Sequence, residues 1–412
     1  FVWVGNVISN PGANPNLYPT SSEQIATSDD AILQQSFDLN GMVEDFKWPQ
    51  VWNSNIAVDH MLPWGLLGTV EFIYGKDINS IYVRNADIVE PVRYLADGRP
   101  YFGGVDSLGN NLFELNPDGG AGVYVIDNSD EGYHYSGTIQ LRKLFDFGLR
   151  TGLSYTYLEA KSLLKSTEIA SVLFAENPVQ GDPNKPQLSY SEFGTRHRIT
   201  GNAIYTHVWN DNFESHFGLF FEVAEGNRFA GAGGNRYSFV YAGDVNGDGQ
   251  TGNDLIYIPA SQSEINLVPY VDEGGNTISA EEQWNKLNAF IEQDEYLKEH
   301  RGEIAERFGA VNPWWWNIDF RFMQDFAFIL GAMRHTFQLS VDILNVPNLL
   351  SSEWGVRKIA SSAATSPLEL MGFDTNGEPN FNFKGATTTT YVDDPGVNSR
   401  WQIQVGLRYF FQ

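Results

Sequence analysis

Three oxygen-bearing side chains stand two residues apart in Asp244-Val245-Asn246-Gly247-Asp248-Gly249. Oxygens at positions one, three and five, with glycine at six for a sharp bend, are the first half of an EF-hand-type calcium loop. Gln250, at position seven, offers a backbone carbonyl, and Asp254 is the nearest carboxylate to position twelve, where Leu255 stands. The chemistry predicted for Asp244, Asn246, Asp248, Gln250 and Asp254 is therefore calcium binding. The same composition also builds a metal-free turn. Arg196 and Arg198 form a second constellation, able to meet an anionic part of a substrate or to pair with nearby acids. In the run Trp314-Trp315-Trp316, Trp315 points away from its neighbours and is the one placed for a ligand contact. Trp314 and Trp316 then read as interface aromatics.

Catalytic arrangements are absent from the sequence. It has no Gly-x-Ser-x-Gly elbow, no His-Glu-x-x-His pair and no phosphate loop. His300 sits after Lys298 and Glu299, the setting of a solvated histidine. The chain has no cysteine, which excludes thiolate metal sites and thiol catalysis. Its 51 acidic and 26 basic side chains leave a net charge of −25, the wrong sign for nucleic acid. The expectation is a non-enzymatic protein with no nucleic-acid partner.

The elements that must position these residues are strands. Trp316, Ile318, Phe320 and Phe322 alternate with Asn317, Asp319 and Arg321, and Phe337, Leu339, Val341 and Ile343 with Gln338, Ser340 and Asp342. Phe217, Leu219, Phe221 and Val223 make a similar apolar row, as do Val70, Phe72 and Tyr74. One face is aromatic and aliphatic, and the other carries charge in nearly every strand. That is the pattern of lipid outside and a wet lumen inside. Aromatic residues make up 14% of the 412 residues, yet no apolar run is long enough for a membrane helix.

Nine strands are predicted, at about 51–62, 66–88, 133–144, 149–162, 194–209, 214–230, 314–328, 335–348 and 399–411, and a tenth at 1–8. Short turns fall near Pro63–Gly65, Asp146–Gly148, Asn210–Asn212 and Gly331–Met333, and long connections near 89–132, 163–191, 231–312 and 349–398. Short periplasmic turns and long extracellular loops fit an antiparallel transmembrane barrel. That assignment leaves the C-terminus periplasmic. A hairpin is predicted around 366–385 and a helix from Ala280 to about Phe308. The fold class is all-β: residues 1–412 are read as a roughly ten-stranded C-terminal part of a plugged barrel of about 22 strands. The long loops would dwarf ten strands alone, and the chain opens on Phe1 with no leader-like segment, as a piece of a longer protein would.

The terminal strand carries Gln404, Gly406, Tyr409 and Phe411, with Gln412 one residue beyond. Polar-x-Gly-x-x-aromatic-x-aromatic resembles the insertion signal by which outer-membrane barrels dock on the barrel assembly machinery. From about residue 190 onward the chain resembles the C-terminal half of Oar-like TonB-dependent receptors of Bacteroidetes and their relatives. The residues that carry it are Arg196-His197-Arg198, Gly243 to Gly249, Asn253-Asp254-Leu255-Ile256-Tyr257-Ile258-Pro259, Arg301-Gly302 and Asn312-Pro313-Trp314. The resemblance implies TonB-dependent transport or receptor function in the outer membrane. It further implies an upstream plug and TonB box, so energy coupling runs through a segment outside this sequence. A passive porin, or a surface-binding or adhesive barrel without energy coupling, is the alternative. The acidic balance and long loops favour a peptide, a protein or a cation-bearing substrate.

Overall fold

The computed structural model describes residues 39–88, 90–103, 122–164, 169–192, 194–228, 238–384 and 388–411. The strand predicted at 1–8 lies outside the described residues. Nine long strands form an antiparallel meander, each paired with its chain neighbours. They are β1 (Gln50–Leu62), β2 (Leu66–Asn85), β3 (Tyr133–Leu144), β4 (Leu149–Ser162), β5 (His197–Asn210), β6 (Phe213–Ala224), β7 (Trp315–Leu330), β8 (Met333–Leu344) and β9 (Gln402–Phe411). Among the described residues β1 and β9 do not pair with each other, so the sheet is open. No helix there is long and apolar enough to cross a membrane.

Register decides which side chains share a face, since residues directly opposite across antiparallel strands point the same way. Tyr205 pairs with Phe217, Phe217 with Phe322, Phe322 with Val341, and Val341 with Val405. Val70 pairs with Val58 and Ile139, and Ile139 with Tyr155. One apolar face thus runs unbroken from β1 to β9. It is uncovered: Val70, Phe72, Ile139, Leu219 and Leu407 are all exposed.

Aromatic clusters mark both ends of that face. Near the long connections, Tyr135 meets Tyr157, Tyr157 meets His197, and His197 stacks on Trp314. Near the short turns, Phe213 meets Phe326, and Phe337 meets Tyr409. Trp316 to Phe326 on β7 spans about 34 Å of strand at ~3.4 Å per residue. A tilt of about 45° shortens that to roughly 24 Å, close to the ~25 Å apolar band of outer-membrane barrels.

The opposite face is polar and internally paired. Arg198 bonds Glu222 at 2.5 Å, Arg321 forms a fork with Asp342, Gln338 donates to Asp325 at 2.9 Å, and Asn55 to Glu71 at 2.7 Å.

The short connections are tight. At the β7–β8 turn Gly331 takes φ of 66°, a left-handed conformation that costs glycine nothing. β1 and β9 both run toward the short-turn end, where Phe411 pairs with His335. This is the strand parity expected from the sequence.

The long connections fold on one another. A core of buried Leu95, Phe239, Val240, Leu255, Ile258, Leu287, Phe290, Leu297, Ala360, Leu368 and Phe381 draws on three separate connections. A second cluster joins Val83, Phe102 and Tyr124 to Ala170, Leu173 and Phe174 of the helix α1 (Ala170–Glu176). Arg307, buried, donates to the carbonyls of Ser162 and Leu163 and to Asn177 Oδ1. Burial lowers its pKa to about 10. These segments make a cap at one end of the sheet. The expected hairpin is present, with Glu369–Phe373 antiparallel to Pro379–Asn382. The helix expected to reach Phe308 does not. It is α2 (Ala280–Gln293) followed by α3 (Glu295–Glu299). Asp294 interrupts it by capping α3, accepting from Leu297 N at 3.0 Å, while its other oxygen accepts from the Thr390 hydroxyl at 2.6 Å.

Candidate functional site at the centre of the cap

The 244–254 loop lies where the long connections meet. Phe102 N donates to Asn246 O at 2.7 Å, and Val179 N to Asn253 O at 2.8 Å. Ala242 N donates to Leu368 O at 2.8 Å. Gln250 Nε2 donates to the Tyr124 hydroxyl at 3.4 Å. Together with Ala242 just before it, the loop, itself part of the third long connection, holds partners from the other three. Gly247 is required by this packing: its φ is 73°, and a Cβ there would lie 2.3 Å from Gly103 N. Only glycine allows the two backbones so close.

Inside the loop the side chains fold back on the backbone. Asp244 Oδ1 accepts from Gly247 N at 2.6 Å and Asp248 N at 3.1 Å, and Oδ2 from Gly249 N at 2.9 Å. Asn246 Oδ1 accepts from Asp248 N at 2.9 Å. Asp248 Oδ1 accepts from Gln250 N at 2.8 Å. Its Oδ2 receives the amide groups of Asn253 at 2.8 Å and Asn246 at 3.2 Å. Asp248, Asn253 and Asp254 are fully buried.

Burial next to other acids makes the charged forms unfavourable. Desolvation, then Asp254, pushes the Asp244 carboxyl up to about 7. Desolvation, then Asp244 and Asp254, pushes Asp248 well above the usual carboxylate range. Burial raises Asp254 as well, against the opposing pull of Arg99.

The structure brings Asp244, Asn246 and Asp248 together but commits Asp254 elsewhere. Its Oδ2 accepts from Val245 N at 2.7 Å and Asn246 N at 3.1 Å, and its Oδ1 faces Arg99 Nη1 at 3.4 Å. Asp254 therefore does not stand in for the twelfth-position carboxylate, because a buried cation and two amides already occupy it. The Gln250 side chain reaches toward Tyr124. Among the described residues no three carboxylate, imidazole or thiol groups form a ready metal cage.

Two partners were missed from the sequence. Arg99 is fully buried, held by Asp97 at 2.8 Å, by the Leu255 carbonyl at 2.7 Å and over the Tyr241 ring at 5.3 Å. Nothing local distinguishes it from a surface arginine in the turn Asp97-Gly98-Arg99-Pro100. Asn253 stood in the sequence next to Asp254, but its side chain was not read as an oxygen donor.

The other candidates do not converge. Arg196 forms a fork with Glu225 at 2.9 and 2.6 Å, and Arg198 pairs with Glu222. Trp315 lies on the polar face as expected, but the Arg357 guanidinium covers its ring at 3.6 Å. On β9, Gln404 and Gly406 lie on the polar face and Tyr409 and Phe411 on the apolar one. A Cβ on Gly406 would come 2.7 Å from Ser340 Oγ, so the glycine does permit close approach.

Beside the loop lies a cavity of about 460 Å³. Its floor is Leu95, Val245, Ile265 and Phe381, and Asp97, Glu264, Asp374 and Glu378 line it with carboxylates.

No curated protein matches the chain. Among solved structures, the outer membrane transporter YddB from Escherichia coli is similar at 9% identity and a TM-score of 0.41, covering 92% of this chain and 35% of that one. The chain thus spans about a third of the length of that transporter. The model of one family, the outer membrane beta barrel domain, matches residues 4–364. With nine long strands in one sheet, apolar on one face and polar on the other, and a family match over most of its length, the chain belongs to the outer membrane beta barrel domain family.

Proposed function

We propose that residues 1–412 are the C-terminal part of a TonB-dependent outer-membrane transporter or receptor that takes up a peptide or protein substrate carrying cationic groups. The observation that carries this reading is the pairing of a sheet with nine long strands, open among the described residues, with a folded cap built from its long connections. A cap of that size suits a wide barrel of about 22 strands, whose further strands would satisfy the edges of β1 and β9 that have no partner among the described residues. The apolar face meets lipid, the cap is extracellular, and Phe411 lies at the periplasmic end. β9 is the strand offered to the assembly machinery. Energy coupling enters through a plug and TonB box upstream.

The acidic cavity supports the substrate class. Carboxylates over an apolar floor favour a cationic group attached to an apolar body. Ion pairs such as Arg198–Glu222 neutralise part of the charge on the polar face.

The test uses the full-length gene product in planar bilayers and in cells with and without TonB. A closed lumen and TonB-dependent uptake of basic peptides are expected. A large steady conductance, with uptake indifferent to TonB, would overturn the reading in favour of a passive porin.

A further inference from the structure

We propose that the cavity beside the 244–254 loop binds a peptide by one basic side chain, with Glu264, Asp374 and Glu378 as its anionic wall and Tyr241 as a donor to the peptide backbone. The proposal rests on the cationic-substrate reading above and names where that substrate is gripped.

Three long connections build the cavity. Leu95 comes from the one after β2, Tyr241 and Glu264 from the one after β6, and Asp374, Glu378 and Phe381 from the one after β8. Its volume of about 460 Å³ lies in the range of small-ligand sites. Asp97 is neutralised by Arg99 at 2.8 Å. Glu264, Asp374 and Glu378 have no such cation among the described residues. The nearby Arg93 guanidinium instead lies over the Tyr101 ring at 4.3 Å and donates to Asn376 O at 3.5 Å. Glu264 Oε2 accepts from Ala260 N at 2.9 Å, and Asp374 Oδ1 from Glu378 N at 2.9 Å and Asn376 N at 2.8 Å. Those backbone donors hold both carboxyls below the usual range, so both are charged at neutral pH. Glu378 Oε2 accepts from Ala96 N at 3.0 Å. Asp374 Oδ2 and Glu378 Oε1 carry no hydrogen bond among the described residues.

These features select the ligand. A bare metal ion is disfavoured, because among the described residues no three carboxylates or imidazoles converge closely enough to hold one. An anionic wall above Leu95, Val245, Ile265 and Phe381 instead fits an extended amphipathic cation. Its methylene stem lies on the apolar floor while its head reaches the carboxylates. Tyr241 makes that cation part of a peptide. Its side chain is buried and lines the cavity, and its hydroxyl accepts from Tyr257 N at 3.0 Å. The O–H proton itself has no acceptor among the described residues. A buried donor without a partner costs free energy that folded proteins normally avoid. A backbone carbonyl of the bound peptide satisfies it, and the carboxylates meet the basic side chain beside that carbonyl.

The experiment is calorimetric titration of the full chain in detergent with the capped tripeptide acetyl-Leu-Arg-Leu-amide. The comparison peptide carries citrulline in place of arginine, which keeps the shape and loses the charge. The arginine peptide is expected to bind, and the citrulline peptide to bind at least about tenfold more weakly. Agmatine, which has the guanidinium but no carbonyl, should also bind at least about tenfold more weakly than the arginine peptide. Glu378→Gln keeps an acceptor for Ala96 N, so the cap should melt as in wild type while affinity for the arginine peptide falls about tenfold. No binding of the arginine peptide, equal affinity for its citrulline form, or unchanged affinity in Glu378→Gln would each overturn the proposal. The peptide comparison on wild type decides the matter even where the variant fails to fold. Agmatine binding as tightly as the arginine peptide would overturn the peptide class. Calorimetry needs no transport. Peptide binding without TonB-dependent uptake would therefore refute the transport reading alone, and uptake without peptide binding would refute this site alone.

Discussion

The sheet and the cap solve opposite problems with one chain. In the sheet, large apolar side chains such as Leu219, Phe72 and Leu407 stay exposed, and charged groups, some of them paired as Arg198 is with Glu222, sit on the other face. In the cap, the apolar side chains are buried and the most consequential charges are buried with them, Arg99 and Asp254 having no exposed side-chain surface. The sheet is therefore shaped for lipid as its outer solvent, with backbone ladders satisfying its polar groups. The cap is a water-soluble fold with an ordinary core. Substitutions that obey the rules of one region should fail in the other, and that contrast can be measured.

The largest expected effect is Arg99→Met. It leaves Asp254 and Asp97 facing a buried site without their cation. Removing one partner of a buried pair costs about 3–5 kcal/mol. The cap should become protease-sensitive while the strands keep their β signal by circular dichroism. Equal loss of both signals would show that cap and sheet unfold as one unit and would remove the distinction drawn above.

Next comes a pair of identical changes on the two faces of the sheet. Leu219→Arg puts a charge on the apolar face, where midplane arginine costs about 2–4 kcal/mol in a bilayer. Asn202→Arg puts it on the polar face, next to Phe220 in register. Folding into vesicles should be impaired for the first and nearly unchanged for the second. Similar stabilities for both would mean that the faces are not divided between lipid and water.

The two regions also differ in how far the sequence disclosed them. A strand's faces follow from a local period of two, so Trp316 to Phe322 and Phe337 to Ile343 could be assigned without knowing their partners. Register followed once the short turns were placed. The cap has no such period. Leu95, Phe239, Leu287 and Phe381 meet only because three connections fold together, and no window of sequence contains them. The Asp244–Gly249 bend was legible because it is local. The role of Asp254 was not, because the residue that claims it, Arg99, lies 155 positions earlier. Likewise the expected helix stops at Asp294 because that residue caps α3 and binds Thr390, which is remote in sequence.

The smallest expected effect tests whether the cap carries helix signals of its own. Ser279 is the N-cap of α2, and its hydroxyl accepts from Glu282 N at 3.1 Å. Ser279 and Glu282 stand in the order of a capping box, and Glu281 and Glu282 place negative charge at the positive end of the helix. One face of α2 supplies Leu287, Phe290 and Ile291 to the core, so fraying at its start reaches that core. Ser279→Ala removes the acceptor and should cost the cap about 1 kcal/mol. Ser279→Asp keeps an acceptor at the same position and should restore most of it. Neither change touches the sheet, so folding into vesicles should be unaltered. The readout is hydrogen exchange at the amides of Glu281 to Gln283. Faster exchange in the alanine variant, and near wild-type exchange in the aspartate variant, is expected. Unchanged exchange in Ser279→Ala would mean that tertiary packing alone holds the start of α2, and that the cap's stability owes nothing to its local signals.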